Sequence, residues 1–118
     1  MKRDPRAFLS DVIEAGQAIL QAVDGISLDA YCNSRLIRSS VEREFTIIGE
    51  ALNQLSQQDQ ELFVQLEQAP QIISFRNKLT HEYTKITNQL VWGIIESDLP
   101  VLIEHCSQLL RQLDQGPT

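Results

Sequence analysis

Residues 34–56 read SRLIRSSVEREFTIIGEALNQLS, and this stretch decides the fold. Its apolar side chains, Ile37, Val41, Phe45, Ile48, Leu52 and Leu55, recur three or four residues apart, with Ile47 and Ala51 beside them. That spacing lays one stripe along an α-helix and cannot be read as the two-residue alternation of a strand. Ser34 supplies a hydroxyl that can cap the first turn. Gly49 interrupts the helix at a cost of about 1 kcal/mol relative to alanine. Close approach of a second helix at Gly49 is the expected compensation.

The same periodicity extends in both directions. Upstream, Asp4-Pro5 is a start signal, a capping carboxylate followed by a proline at the first helical position. Phe8, Leu9, Val12, Ile13, Gly16, Ile19, Leu20 and Val23 then form a stripe that ends at Asp24-Gly25. Ser27 caps a short turn of helix through Tyr31. Downstream, Leu62, Phe63 and Leu66 predict a short helix over 59–67, and Ile72, Phe75 and Leu79 a helix from about Gln71 to Glu82. Thr87 is placed to cap the last helix, whose interior positions run from Leu90 to Leu113. Pro100 predicts a kink near Asp98 or a break and restart there.

These elements predict an all-α protein, an antiparallel bundle of four to five helices. At 118 residues the chain makes one domain, residues 1–118 with a core over about 5–113, since two cores would each be too small. Aromatic content of 6%, with five Gly and four Pro, argues against a many-turned β-sandwich. The longest apolar stretch, Leu90 to Ile95, is far short of the roughly 20 residues that span a bilayer. The first residues contain no continuous apolar run of the signal-peptide kind. Cys32 and Cys106 are too few for a disulfide framework. The expectation is a cytoplasmic protein with buried, reduced thiols and no membrane partner.

Ten basic against sixteen acidic residues give a net charge of −6, which argues against a general nucleic-acid binder. Local charge differs from the total. Residues 35–43 hold Arg35, Arg38 and Arg43 against Glu42, and residues 76–85 hold Arg76, Lys78 and Lys85 against Glu82. Brought to one face, they form a local anion site; left apart, they are solvated helix charges.

The densest set of reactive side chains is FRNKLTHEY, residues 75–83. On a helix Asn77 and His81 are neighbours one turn apart. Arg76 and His81 are offset by about 140° and about 7.5 Å, so they can flank one ligand without touching. Arginine grips phosphate oxygens through parallel N–H groups, and histidine moves protons near neutral pH. RNA carries its own nucleophile in the 2′-hydroxyl, so one base and one phosphate clamp suffice to cleave it. His81 and Glu82 are adjacent and face different sides, and no HExxH or CxxC spacing exists, so no metal site is expected. No glycine-rich phosphate loop is present, and no cofactor is expected. Against this stands the reading of a non-catalytic helical module that binds a nucleotide or a protein, or that dimerises.

The pattern Arg76-x4-His81-x-Tyr83 matches the R-x4-H-x-Y motif of HEPN-domain toxins, and the chain resembles the HepT-like ribonuclease family. Further blocks follow in the same order: Glu42-Arg43 with Ile47-Ile48-Gly49-Glu50-Ala51, then residues 75–83, then Trp92-x2-Ile95-x2-Asp98-Leu99-Pro100. The resemblance implies an all-helical, homodimeric, metal-independent endoribonuclease, the toxin of a two-component toxin–antitoxin system. Its implied partner is an MntA-like nucleotidyltransferase antitoxin that silences it by AMPylation. By the same resemblance Arg76 and His81 are catalytic, Asn77 and Tyr83 supporting, and Tyr83 the AMP acceptor. Lys78 and Arg43 are candidate phosphate or RNA contacts. Glu50 is expected to pair with an arginine, and Trp92 and His105 to serve structure.

Overall fold

The computed structural model describes residues 2–81 and 87–115, without the side chains of Thr80 and His81. Among the described residues every regular element is helical: α1 (Pro5–Ala22), α2 (Leu28–Asn33), α3 (Arg35–Gln58), α4 (Gln60–Phe63), α5 (Ala69–His81), α6 (Asn88–Glu96) and α7 (Asp98–Gln115). Five of these have nine residues or more, and α2 and α4 are short connectors. The expected helical bundle is the observed fold.

Local chemistry places the ends. Asp4, Ser27, Ser34, Asp59 and Thr87 each accept a backbone N–H of the following first turn, satisfying a donor that has no partner within the helix. Gly25 turns the chain after α1 with φ at 76°, a conformation that side chains with a Cβ resist. Pro5, Pro70 and Pro100 all fall in the first turn of a helix, where a missing N–H removes no intrahelical bond. Pro100 therefore does not kink a continuous helix. The chain breaks at Ser97, whose N–H closes α6 on the Gly93 carbonyl at 2.9 Å, and restarts as α7.

Two boundaries differ from the sequence reading. The helix expected over 59–67 is only the single turn of α4. Hydrogen bonds from Gln65 and Leu66 back to Leu62 and Phe63 then tighten the chain into turns that bury Leu66. The next helix begins at Ala69, earlier than Gln71, because Pro70 is accommodated inside its first turn.

Helix α3 is the hub, packing on α1, α2, α4 and α5. Phe45, Ile48, Leu52 and Leu55 are wholly buried along it, each contributing about 1.5–3 kcal/mol through burial. Helix α1 lies antiparallel to α7: Arg6 at its start reaches Asp114 at 3.3 Å, while Gly16 lies against Leu99 and Ile103. It also runs antiparallel to α3, whose Gln58 donates to the Arg3 carbonyl at the opposite end. Tyr31 and Trp92 tie α2 to α6, with ring centroids 5.5 Å apart. No helix among the described residues is long and apolar enough to cross a membrane.

Candidate functional site

Helix α5 is fixed to α3 by two consecutive residues. Phe75 meets Phe45 edge to face, with centroids 5.0 Å apart and planes at 86°. One turn along α3, Gly49 leaves room for Arg76. A Cβ built on Gly49 would lie 2.5 Å from Arg76 Cγ and 2.6 Å from both Arg76 Cβ and Nε. The close approach expected at Gly49 is therefore real, and what fills the space is the stem of the candidate catalytic arginine.

The guanidinium is held as well as the stem. Arg76 Nη2 lies 3.7 Å from Glu50 Oε2, and the arginine side chain is only 13% exposed against 56% for Glu50. Glu50 itself accepts from Gln54 Nε2 at 2.7 Å. The expected pairing of Glu50 with an arginine is observed, and that arginine is Arg76. The result is a cation whose orientation is set by packing on a long helix, the property that anion recognition rewards.

The helical register separates the other candidates. Position 81 is about 140° around α5 from Arg76, but only about 20° from Ser74 and about 60° from Lys78. Arg76 faces α3, whereas the row that carries position 81 includes Ser74 and Lys78. Asn77 and Lys78 are exposed. The Asn77–His81 side-chain contact, the His81 imidazole and the whole of Tyr83 lie outside the described residues. Arg43 is exposed on α3, two turns before Glu50, and makes no ion pair among the described residues.

On the far side of α5 from Arg76 is a feature the sequence reading missed. A groove of about 430 Å³ separates α5 from α6 and the start of α7, lined by Pro70, Gln71, Ser74, Phe75, Lys78, Leu90, Ile94 and Asp98. The signal was present in the spacing of Leu90, Ile94 and Asp98, which recur every four residues. The spacing places Leu90 and Ile94 in the core; Ile94 packs partly buried against it, whereas Leu90 is 46% exposed. Trp92, as expected, packs. His105, also expected to be structural, is partly buried on α7, and its Nδ1 has no hydrogen-bond partner among the described residues. No three His, Cys, Asp or Glu side chains among the described residues form a group that could hold a metal ion.

A helical bundle organised on a central α3, with the R-x4-H pattern beginning where a second helix locks onto it, defines an all-α protein of the HEPN-like class. The family described as Ribonuclease HepT-like matches residues 12–109. The chain belongs to the HepT-like ribonuclease family. It is 32% identical over 99 residues to the Methanocaldococcus jannaschii protein named "Putative RNase MJ1380", covering 84% of this chain and 90% of that one. It is 24% identical over 110 residues to "Putative RNase TTE0752" of Caldanaerobacter subterraneus, covering 93% and 97%. It is 26% identical over 102 residues to "Probable ribonuclease HepT" of Thermococcus cleftensis, covering 86% and 92%. No solved structure matches.

Proposed function

We propose that this chain is a metal-independent endoribonuclease, the toxin of a HepT/MntA-type toxin–antitoxin pair. The observation that carries the reading is the seating of Arg76 on Gly49 and Glu50, which fixes a guanidinium on the same helix that bears His81. Family membership and the naming of its relatives as RNases support the same activity.

In this reading Arg76 binds the scissile phosphate and stabilises the added charge of the transition state. The 2′-hydroxyl attacks the adjacent phosphorus, its proton passes to a His81 imidazole, and the bond to the 5′-oxygen breaks. The leaving oxygen takes a proton from an imidazolium, giving a 2′,3′-cyclic phosphate and a 5′-hydroxyl. Acid and base together need two imidazoles and one copy carries a single motif histidine, so a homodimer supplies what one copy lacks. His81 of one copy acts as base and His81 of a second as acid across a shared cleft, with Asn77 supporting and Lys78 and Arg43 as further phosphate contacts. Tyr83, seven residues after Arg76 in the sequence, accepts AMP from the antitoxin and so closes the site.

Incubation of the purified protein with total RNA in EDTA tests the activity. Cleavage that leaves cyclic phosphate ends and disappears in Arg76→Ala and His81→Ala is expected; intact RNA with unmodified Tyr83 overturns it in favour of a binding module. Co-production with an MntA-like nucleotidyltransferase is expected to add AMP masses that Tyr83→Phe lacks. An unmodified tyrosine after co-production with an active transferase overturns the regulatory part alone.

A further inference from the structure

We propose that the groove between α5 and α6 is a base-reading subsite selective for guanine, on the face of α5 whose row carries position 81. The proposal rests on the ribonuclease reading for its place in the reaction, and on the groove's own chemistry for its ligand.

The groove has the volume of a small-molecule site, with an apolar body and four polar side chains, Gln71, Ser74, Lys78 and Asp98. Phe75 in its lining is 4% exposed and packed edge-on against Phe45. Leu90 and Ile94 form an apolar wall on α6 that a planar ring can cover. Two charges of opposite sign sit in this lining, Lys78 on α5 and Asp98 at the start of α7. They do not pair with each other, and neither has an ion pair or side-chain hydrogen bond among the described residues. A groove that presents one ammonium and one separate carboxylate complements a ligand with an anionic end and an end that donates hydrogen bonds.

A nucleotide is such a ligand, and the carboxylate selects among the bases. An ionised carboxylate only accepts. The pairing edge of guanine offers two adjacent donors, N1–H and the N2 amino group. Adenine and cytosine each offer a single amino donor beside a ring-nitrogen acceptor, and uracil one N–H between two carbonyls. Guanine alone pairs both carboxylate oxygens without facing an acceptor towards them. Single-stranded RNA is read in this way, by a splayed base held on its pairing edge. Lys78 takes the phosphate of the same nucleotide. Position 81 follows Lys78 by one turn of α5 in the same row, about 4.5 Å further along the axis. A guanine in the groove thus brings its phosphodiester towards the residue read as the proton carrier.

Titration of the isotope-labelled protein with GMP, AMP, CMP and UMP, followed by amide shifts, tests the proposal without requiring cleavage. GMP is expected to bind at least about fivefold more tightly than the other three, with shifts at Ser74, Leu90 and Ile94. Asp98→Asn, which keeps the size of the side chain and removes its charge, is expected to abolish the preference, and Lys78→Gln to weaken all four nucleotides alike. Leu90→Trp, which fills the groove from an exposed position, is expected to block them. Equal binding of the four, or shifts confined to other surfaces, overturns the inference even if RNA is cut. Shifts at these residues on dilution without nucleotide, with no response to GMP, identify a second copy of the chain as the occupant and also overturn it. Selective GMP binding by a protein that leaves RNA intact supports the subsite and removes the ribonuclease reading.

Discussion

Gly49 presents its bare Cα to the stem of Arg76, so closely that a methyl group there would stand 2.5 Å from Arg76 Cγ. A residue that looks like a helix-weakening defect in α3 is what lets a charged side chain lie flat between two helices. Its partner Glu50 is the next residue in the chain.

Gly49→Ala is the direct test of that relationship. Two of the three nearest atoms belong to the stem of Arg76 rather than its flexible tip, so relief requires α5 to back away from α3. Overpacking of this kind costs about 1–3 kcal/mol, against about 1 kcal/mol regained in helix propensity. A net loss of about 1 kcal/mol in urea unfolding at unchanged slope is expected, with RNA cleavage falling further than stability does. A gain near 1 kcal/mol would mean that propensity alone is being read and that the helices are not tightly apposed.

Glu50→Gln separates holding from charge. The pair is 3.7 Å apart and Glu50 is more than half exposed, so its loss should change stability by less than about 0.5 kcal/mol. Removing a negative charge beside the guanidinium should raise RNA affinity by about threefold at low salt. Binding measured across a salt series checks this, and the difference should vanish towards 1 M salt. A fall in affinity at low salt would instead assign Glu50 to orienting Arg76.

The alkaline limb of stability has two identifiable sources. Burial pushes the Cys106 thiol up to about 12 and the Tyr31 hydroxyl up to about 12. Each group keeps its proton in the folded state at pH values where the unfolded chain releases it. Their contribution is therefore complete below about pH 9 for Cys106 and about pH 10 for Tyr31, and is lost as pH rises towards 12. Urea midpoints measured from pH 7 to 11 should be flat at first and then fall, less steeply in Tyr31→Phe with Cys106→Ala. The Tyr31 hydroxyl is buried without a hydrogen-bond partner among the described residues, so Tyr31→Phe alone should cost nothing at pH 7 and can gain about 1 kcal/mol.

Trp92 is the chain's single tryptophan and packs on Tyr31 across the α2–α6 junction. Trp92→Ala should cost about 3 kcal/mol. In the unaltered protein, red-shifted tryptophan emission on unfolding should coincide with loss of helical ellipticity. An emission change at lower denaturant would mean that α6 detaches before the bundle melts.

The helices and most of their ends were legible in the chain itself. Stripes such as Ile37-Val41-Phe45-Ile48-Leu52-Leu55 announce a buried face wherever they occur, and Asp4, Ser27, Ser34 and Thr87 cap through bonds made within a few residues. The stretch from 59 to 67 was less legible, because a single helical turn that buries Leu62 and tight turns that bury Leu66 show the same apolar spacing as a longer helix. Gly49 could be flagged from sequence as a point of close approach, but not matched to Arg76, 27 positions away in the chain.

What the sequence by itself determined is the set of helices, their caps, and the order of Arg76, His81 and Tyr83 along one segment, because each depends on contacts within a turn or two. The tertiary structure decided which of those residues meet anything. It seated Arg76 against Gly49 and Glu50, and opened a groove beside Leu90, which reads as core. The physical reason is that a helical stripe shows which face a residue occupies but not which element lies opposite it. Only the packing of α5 on α3 gives one of its faces a partner and leaves the other open.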